Sequence, residues 1–195
     1  MKLLALALVL VAPVAEAKSH AFYSLYNNNY DNHIILQQSA ESESGPITSK
    51  DGSTSYWKGY GITTTAGATY RDFVIGTIGY TMLDRRANTD DEHAWGNAVD
   101  LGLKLSFSSP IGSLEIGGGA TAEHLSTSEN EINGTAIGSG VFYSLGLNYL
   151  VSYSVSIDGE IKVDNMSYHT DTGSSFLDGA HSNVIRPALG FRFSF

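Results

Sequence analysis

Between Val99 and Phe107 the chain reads VDLGLKLSF, and its side chains alternate in kind at every step. Val99, Leu101, Leu103, Leu105 and Phe107 are apolar, while Asp100, Gly102, Lys104 and Ser106 are small or charged. Successive side chains of a strand point to opposite faces, so such a segment is a strand with one apolar face and one polar face. A helix would scatter the same residues around its whole circumference. The pattern recurs in Leu114–Glu123, Val141–Tyr149 and Val155–Asp164. It recurs again at the end, where Ile185, Pro187, Leu189, Phe191, Phe193 and Phe195 oppose Arg186, Ala188, Gly190, Arg192 and Ser194. Tyr56–Ala66 and Phe73–Met82 carry weaker versions, and a first strand is expected to begin near His20, in HAFYSLY.

These segments predict an all-β chain: an eight-stranded antiparallel up-and-down transmembrane β-barrel. Short connections are expected near 67–69, 108–112 and 150–152, and long ones near 27–55, 85–96, 126–136 and 169–183. The acidic stretches SAESESG (39–45) and NTDDEH (88–93) fall in the long ones. Short turns on one side and long loops on the other are the asymmetry of an outer-membrane barrel. A soluble barrel would turn its apolar face inward. The aromatic positions favour the membrane: Tyr70, Phe107, Tyr149, Tyr153, Phe193 and Phe195 gather at the short-turn end, with Tyr56, Tyr60 and Tyr143 as candidates for the opposite belt. Aromatic belts mark membrane interfaces, whereas a soluble core has no reason to collect rings at one level.

The beginning of the chain fits export. Lys2 precedes an apolar run from Leu3 to Ala12, and Ala15-Glu16-Ala17 forms a small-x-small cleavage site. Residues 1–17 are therefore expected to be a secretory signal peptide, and 18–195 the barrel. The run is too short to cross a bilayer as a helix. The chain has no Cys, so disulfides do not hold it. A net charge of −9 without a basic cluster excludes nucleic acid as an expected partner.

In its export signal, its alternating strands and its terminal GFRFSF, the chain resembles the small outer-membrane barrels of Gram-negative bacteria, the group of the OmpA transmembrane domain and OmpX. Gly190, Phe193 and Phe195 match that group's C-terminal assembly signal. The resemblance implies residence in the outer membrane and recognition by the barrel-assembly machinery. The motif says nothing about activity, and no cofactor is expected.

An eight-stranded barrel is just wide enough for its own side chains. The inward positions carry Asp100, Lys104, Glu115, Glu123, Asp158, Glu160, Lys162, Arg186 and Arg192. Charges removed from water must be paired, which predicts a filled lumen, with Lys104 facing Glu115 and Arg192 facing Asp158 or Glu160. A narrow ion path is the alternative. His124 and Ser126, with Glu123, Glu129 and Glu131 nearby, form the one candidate catalytic group. They are similar to the His-x-Ser pair of outer-membrane lipid A deacylases, although that pair lies near the C-terminus and is followed by Asn, where this chain has Thr127. Asp90-Asp91-Glu92-His93 lacks the spacing of a calcium loop, so no metal is expected. Arg85 and Arg86 are candidates for lipopolysaccharide phosphates. The expected function is a non-enzymatic surface barrel with an integrity or adhesion role. Its expected partners are outer-membrane lipid, lipopolysaccharide, the assembly machinery and a host or phage ligand at the loops. A lipid A-modifying hydrolase stands as the alternative from another class.

Overall fold

The computed structural model describes residues 32–71, 73–87, 92–109, 111–129, 132–152, 154–173 and 177–195. Every regular element among them is a strand: β1 (Ile34–Thr48), β2 (Thr54–Tyr70), β3 (Val74–Ala87), β4 (Glu92–Ser109), β5 (Gly112–Glu129), β6 (Ile132–Leu150), β7 (Val155–Gly173) and β8 (His181–Ser194). Each strand pairs antiparallel with its neighbours in sequence, and β1 pairs with β8, closing the barrel. Closure gives the wall strands backbone partners on both sides, which is what hydrocarbon demands of a sheet. Residues 1–17, expected to be a signal peptide, and the stretch HAFYSLY, expected to begin the first strand, lie outside the described residues.

The wall is inside-out relative to a soluble protein. Leu101, Leu103 and Tyr143 are 58%, 66% and 67% exposed, whereas Arg186 and Glu115 are 0% and 1% exposed. Alternation sends one set outward and the other into the lumen. At the end formed by the β2–β3, β4–β5 and β6–β7 turns, Tyr70, Phe73, Phe107, Tyr149 and Phe195 all stand outward. Phe73 meets Phe107 edge to face at 5.9 Å. Tyr56 and Tyr60 lie toward the other end, and Tyr143 faces out opposite Gly118 and Val163. Tyr153 falls outside the described residues.

Three boundaries differ from the sequence reading. First, β1 occupies Ile34–Thr48, inside the segment expected to be a long loop. Gln37, Ser39, Glu41 and Glu43 point into the lumen, and Gln38, Ala40, Ser42 and Ser44 point out. With polar or small residues on both faces, this strand shows no apolar alternation. Second, β2 runs straight through the turn expected at 67–69 to Tyr70, and Arg71 just beyond it takes a φ of 53°. Third, the other long loops are largely strand: β3 runs to Ala87 and β4 starts at Glu92, β5 runs to Glu129 and β6 starts at Ile132, and β7 runs to Gly173 and β8 starts at His181.

The third difference has one cause. Near the 49–53 end the pattern inverts: Leu83, Ala94, Leu125, Ala136 and Met166 point inward, while Asn97, Ser139, Ser167, His181 and Asn183 point outward. A wall that rises out of hydrocarbon into water exchanges its faces. A period-two reading tuned to apolar-outside residues therefore ends each strand too early.

The chain terminus is built into the seam. Phe195 N donates to Ile34 O at 3.0 Å, and Ile34 N donates to Phe195 O at 3.3 Å. Phe193 lies opposite Leu36 and Val155. Gly190 turns inward, and a Cβ there would stand 2.2 Å from Gln38 O, so the approach of β8 to β1 needs glycine. Gly102 plays a similar part beside Phe142, whose ring turns into the lumen and would lie 2.9 Å from an added Cβ.

Candidate functional site: a filled lumen and its outer rim

From the 49–53 end downward, the lumen begins with an apolar cap. Ile47, Trp57, Leu83, Leu125, Met166 and Tyr168 pack with small alanines and with Leu177 from the β7–β8 connection. Leu177 is 0% exposed. Residues 177–180 are held against β7 by Ala180 N to Leu177 O at 3.0 Å, Gly179 N to Tyr168 O at 3.1 Å and Tyr168 N to Ala180 O at 2.9 Å. Thr170 N donates to Asp178 Oδ1 at 3.2 Å, and this bond holds the Asp178 carboxyl below the usual carboxylate range. The cap was not foreseen, because its residues sit where the alternation inverts.

Beneath it lies a cluster around two guanidinium groups. Arg85 donates to both Glu123 oxygens, at 2.6 and 2.7 Å, and to Glu43 Oε2 at 3.1 Å; its Nε also donates to Glu43. Tyr168 OH donates to Glu123 Oε2 at 3.1 Å. Arg186 Nε is bonded to Asp164, and its Nη2 is 3.4 Å from Glu123 Oε1. Arg85 thus faces the lumen, only 2% exposed, and not the membrane surface as the sequence reading had it. It sits two residues before Ala87 on β3, in the same inward phase as Leu83. Arg86 is the exposed member of the pair.

The next layers continue the pairing. Lys162 binds Asp100 and lies 4.5 Å over the Phe142 ring. Thr63 donates to Glu41 Oε1 at 2.6 Å. Lower still, Lys104 is 2.8 Å from Glu160 and 3.9 Å from Glu115. Arg192 bonds both Glu115 oxygens, one at 2.8 Å, and reaches Asp158 Oδ2 at 2.9 Å. Eight carboxylates (Glu41, Glu43, Asp100, Glu115, Glu123, Asp158, Glu160, Asp164) share the lumen with five cations (Arg85, Lys104, Lys162, Arg186, Arg192). Glu41, Glu43, Asp164 and Arg85 were not in the expected network. The i, i+2 spacing of Glu41 and Glu43 was the available signal, obscured because β1 lacks an apolar face.

Cavities remain within this packing. A cavity of about 100 Å³ opens at the turn end, lined by Ser106, Ser113, Asn148 and Ser156 above Arg192 and Glu115. A second, of about 30 Å³, lies beside Asp100 and Lys162. That is room for about one or two water molecules, since a polar site of about 10–15 Å³ on this measure holds one.

On the outer wall, His124 and Ser126 share the outward face of β5, opposite Asn97 and Trp95. No hydrogen bond joins them among the described residues, and Glu123 points the other way, into the Arg85 cluster. The Glu131 backbone and the Glu129 side chain lie outside the described residues, as do Asp90 and Asp91. His93 Nε2 is 2.9 Å from Asp84 Oδ1. Among the described residues no group of three acidic, His or Cys side chains is placed to hold a metal ion.

A closed eight-stranded barrel with an apolar outer wall is also the fold of solved small outer-membrane barrels. Neisserial surface protein A is similar at a TM-score of 0.59 and 16% identity, over 82% of this chain and 97% of that one. Ail, the attachment invasion locus protein of Yersinia pestis, is similar at 0.52 and 14%, over 83% and 98%. The N-terminal barrel domain of Pseudomonas aeruginosa OprF is similar at 0.50 and 16%, over 80% and 97%. No family model and no curated protein sequence matches the chain.

Proposed function

We propose that this chain is an exported outer-membrane barrel that acts through its surface, as an integrity or adhesion protein, and neither conducts solutes nor catalyses a reaction. One observation carries the reading. The lumen is blocked, by an apolar cap at one end and by layered ion pairs below it, above the cavity that opens at the turn end. A water-filled channel would need an interior free of such a plug, and eight strands leave little room for one. Neighbours named for a neisserial surface and for attachment and invasion support a surface role. With strands reaching Thr48, Ala87, Glu129 and Gly173, the rim of the barrel at that end is the face offered to a host or phage partner.

Purified barrel in planar bilayers tests the reading. The expected result is no steady porin-like conductance, and a stable nanosiemens-scale channel would overturn it. The non-catalytic part is tested separately in cells. Lipid A masses are expected to be the same with and without overexpression, and loss of an acyl chain that His124→Ala abolishes would establish the hydrolase instead.

A further inference from the structure

The described cations outside the lumen are few: Lys50, Lys58, Arg71 and Arg86. Two of them stand side by side. Lys58 on β2 is the direct cross-strand partner of Arg86 on β3, and Arg86 is the partner of His93 on β4. All three point outward, with Lys58 and Arg86 exposed and His93 half-buried. Like charges directly opposite one another on a sheet repel. Neither Lys58 nor Arg86 has a carboxylate partner among the described residues, and the nearby Asp84 is engaged by His93 at 2.9 Å. A chain with net charge −9 has thus set two cations side by side on one patch of its wall, where no carboxylate among the described residues pairs with either.

The row's height identifies what compensates it. The register row immediately toward the membrane is Tyr60–Asp84–Trp95, in which Tyr60 is 65% and Trp95 42% exposed. Such rings belong at the headgroup level. From the opposite belt at Tyr70, Lys58 stands about a dozen residues along β2; a rise of ~3.3 Å per residue and a tilt of ~40° put it roughly 30 Å along the axis, just past an apolar band ~25 Å tall. Lys58 and Arg86 therefore sit at the level of lipid headgroups in the leaflet on the 49–53 side.

We propose that Lys58 and Arg86, with His93 beside them, form a binding site for a phosphate group of an outer-leaflet lipid. Arg86 offers a planar fork that matches phosphate oxygens, and Lys58 a point charge. An anion between them removes their repulsion, and Tyr60 and Trp95 lie below it against the acyl chains. The inference rests on the outer-membrane reading above, and it names the lipid that reading leaves open.

The test follows Trp95 fluorescence of the refolded barrel in detergent micelles as bisphosphorylated lipid A is titrated in. Lys58→Gln with Arg86→Gln is expected to weaken binding about tenfold or more, and each single change by less, as expected when charge-assisted contacts are removed. Lys50→Gln, a connection cation, should leave binding as it is, and dephosphorylated lipid A should bind as weakly as the double variant does to the phosphorylated form. Wild-type affinity in the double variant, equal binding of dephosphorylated lipid, or an equal loss in Lys50→Gln would each overturn the proposal. Displacement by inorganic phosphate at the same concentration would do so too, by pointing to free phosphate as the ligand. A gel-shift check shows that each variant is folded. A folded barrel that fractionates with the outer membrane yet ignores lipid A sinks this inference alone, whereas recovery in the soluble periplasm sinks the reading beneath it.

Discussion

Arg85 and Arg86 are neighbours in sequence and live in different solvents. One is locked between Glu43 and Glu123, and the other is exposed on the outer wall. The consequences of removing them differ accordingly. Removing one partner of a buried ion pair leaves the other charged and desolvated, at a cost of about 3–5 kcal/mol. Arg85→Met leaves Glu43 and Glu123 with only the more distant Arg186, 4.0 and 3.4 Å away, and should lower the stability of the refolded barrel by up to about that amount, read as the urea midpoint of gel-shift unfolding. Arg86→Met touches no buried partner and should move it by less than about 0.5 kcal/mol. Equal shifts in the two variants would mean that the lumen cluster contributes nothing beyond its surroundings.

At the level of the strand, β8 closes the barrel and ends it. Its outward Phe191, Phe193 and Phe195 face the membrane side, while Arg192 on the other face meets Glu115 and Asp158. Burying one Phe is worth about 1.5–3 kcal/mol, a modest share of what a closed sheet of eight strands holds. The resemblance of Gly190, Phe193 and Phe195 to an assembly signal adds a separate role, in recognition. Deleting Phe195 should therefore reduce folded protein in the outer membrane far more than it reduces the yield of refolding from urea into detergent. Equal losses in the two assays would reduce the terminal aromatic to a packing residue. Gly190→Val should fail in both, because its side chain meets the β1 backbone.

For the molecule as a whole, the two ends are unlike. The 49–53 end is closed by Leu177 and the apolar cap, and the opposite end opens into a hydroxyl-lined cavity of about 100 Å³. The cap is readable because Trp57 lies in it, 1% exposed, while the other tryptophan, Trp95, faces outward. In a Trp95→Phe background, Leu177→Asp should raise acrylamide quenching of Trp57, since a carboxylate at that site draws water into the cap. It should not produce a steady conductance, because the Arg85 and Arg186 layer remains beneath. A channel in Leu177→Asp alone would show that the apolar cap is the single barrier.

Much of this was legible in residue order alone. Where the wall meets hydrocarbon, as in Val99–Phe107 and Val155–Asp164, one face must be apolar and the other is left for the lumen, so period two reports both the strand and the direction of each side chain. That is why Lys104, Glu115, Asp158 and Arg192 could be placed inside, and why Phe195 could be placed against lipid. Their pairing is a property of distance: Lys104 lies nearer Glu160 than Glu115, and only the coordinates of three strands together decide it. The same limit applies to β1, to Arg85 and to the cap. In β1 both faces are polar or small, and its strand character comes from pairing with β2 and β8. Arg85 and Leu177 turn inward where the wall has left the membrane, and there alternation no longer says which face is which. The sequence by itself determined the barrel, because hydrocarbon imposes one rule on every residue that touches it. Tertiary structure alone decided how the interior is sealed and where the basic row stands, because both depend on which strands lie side by side at a given height.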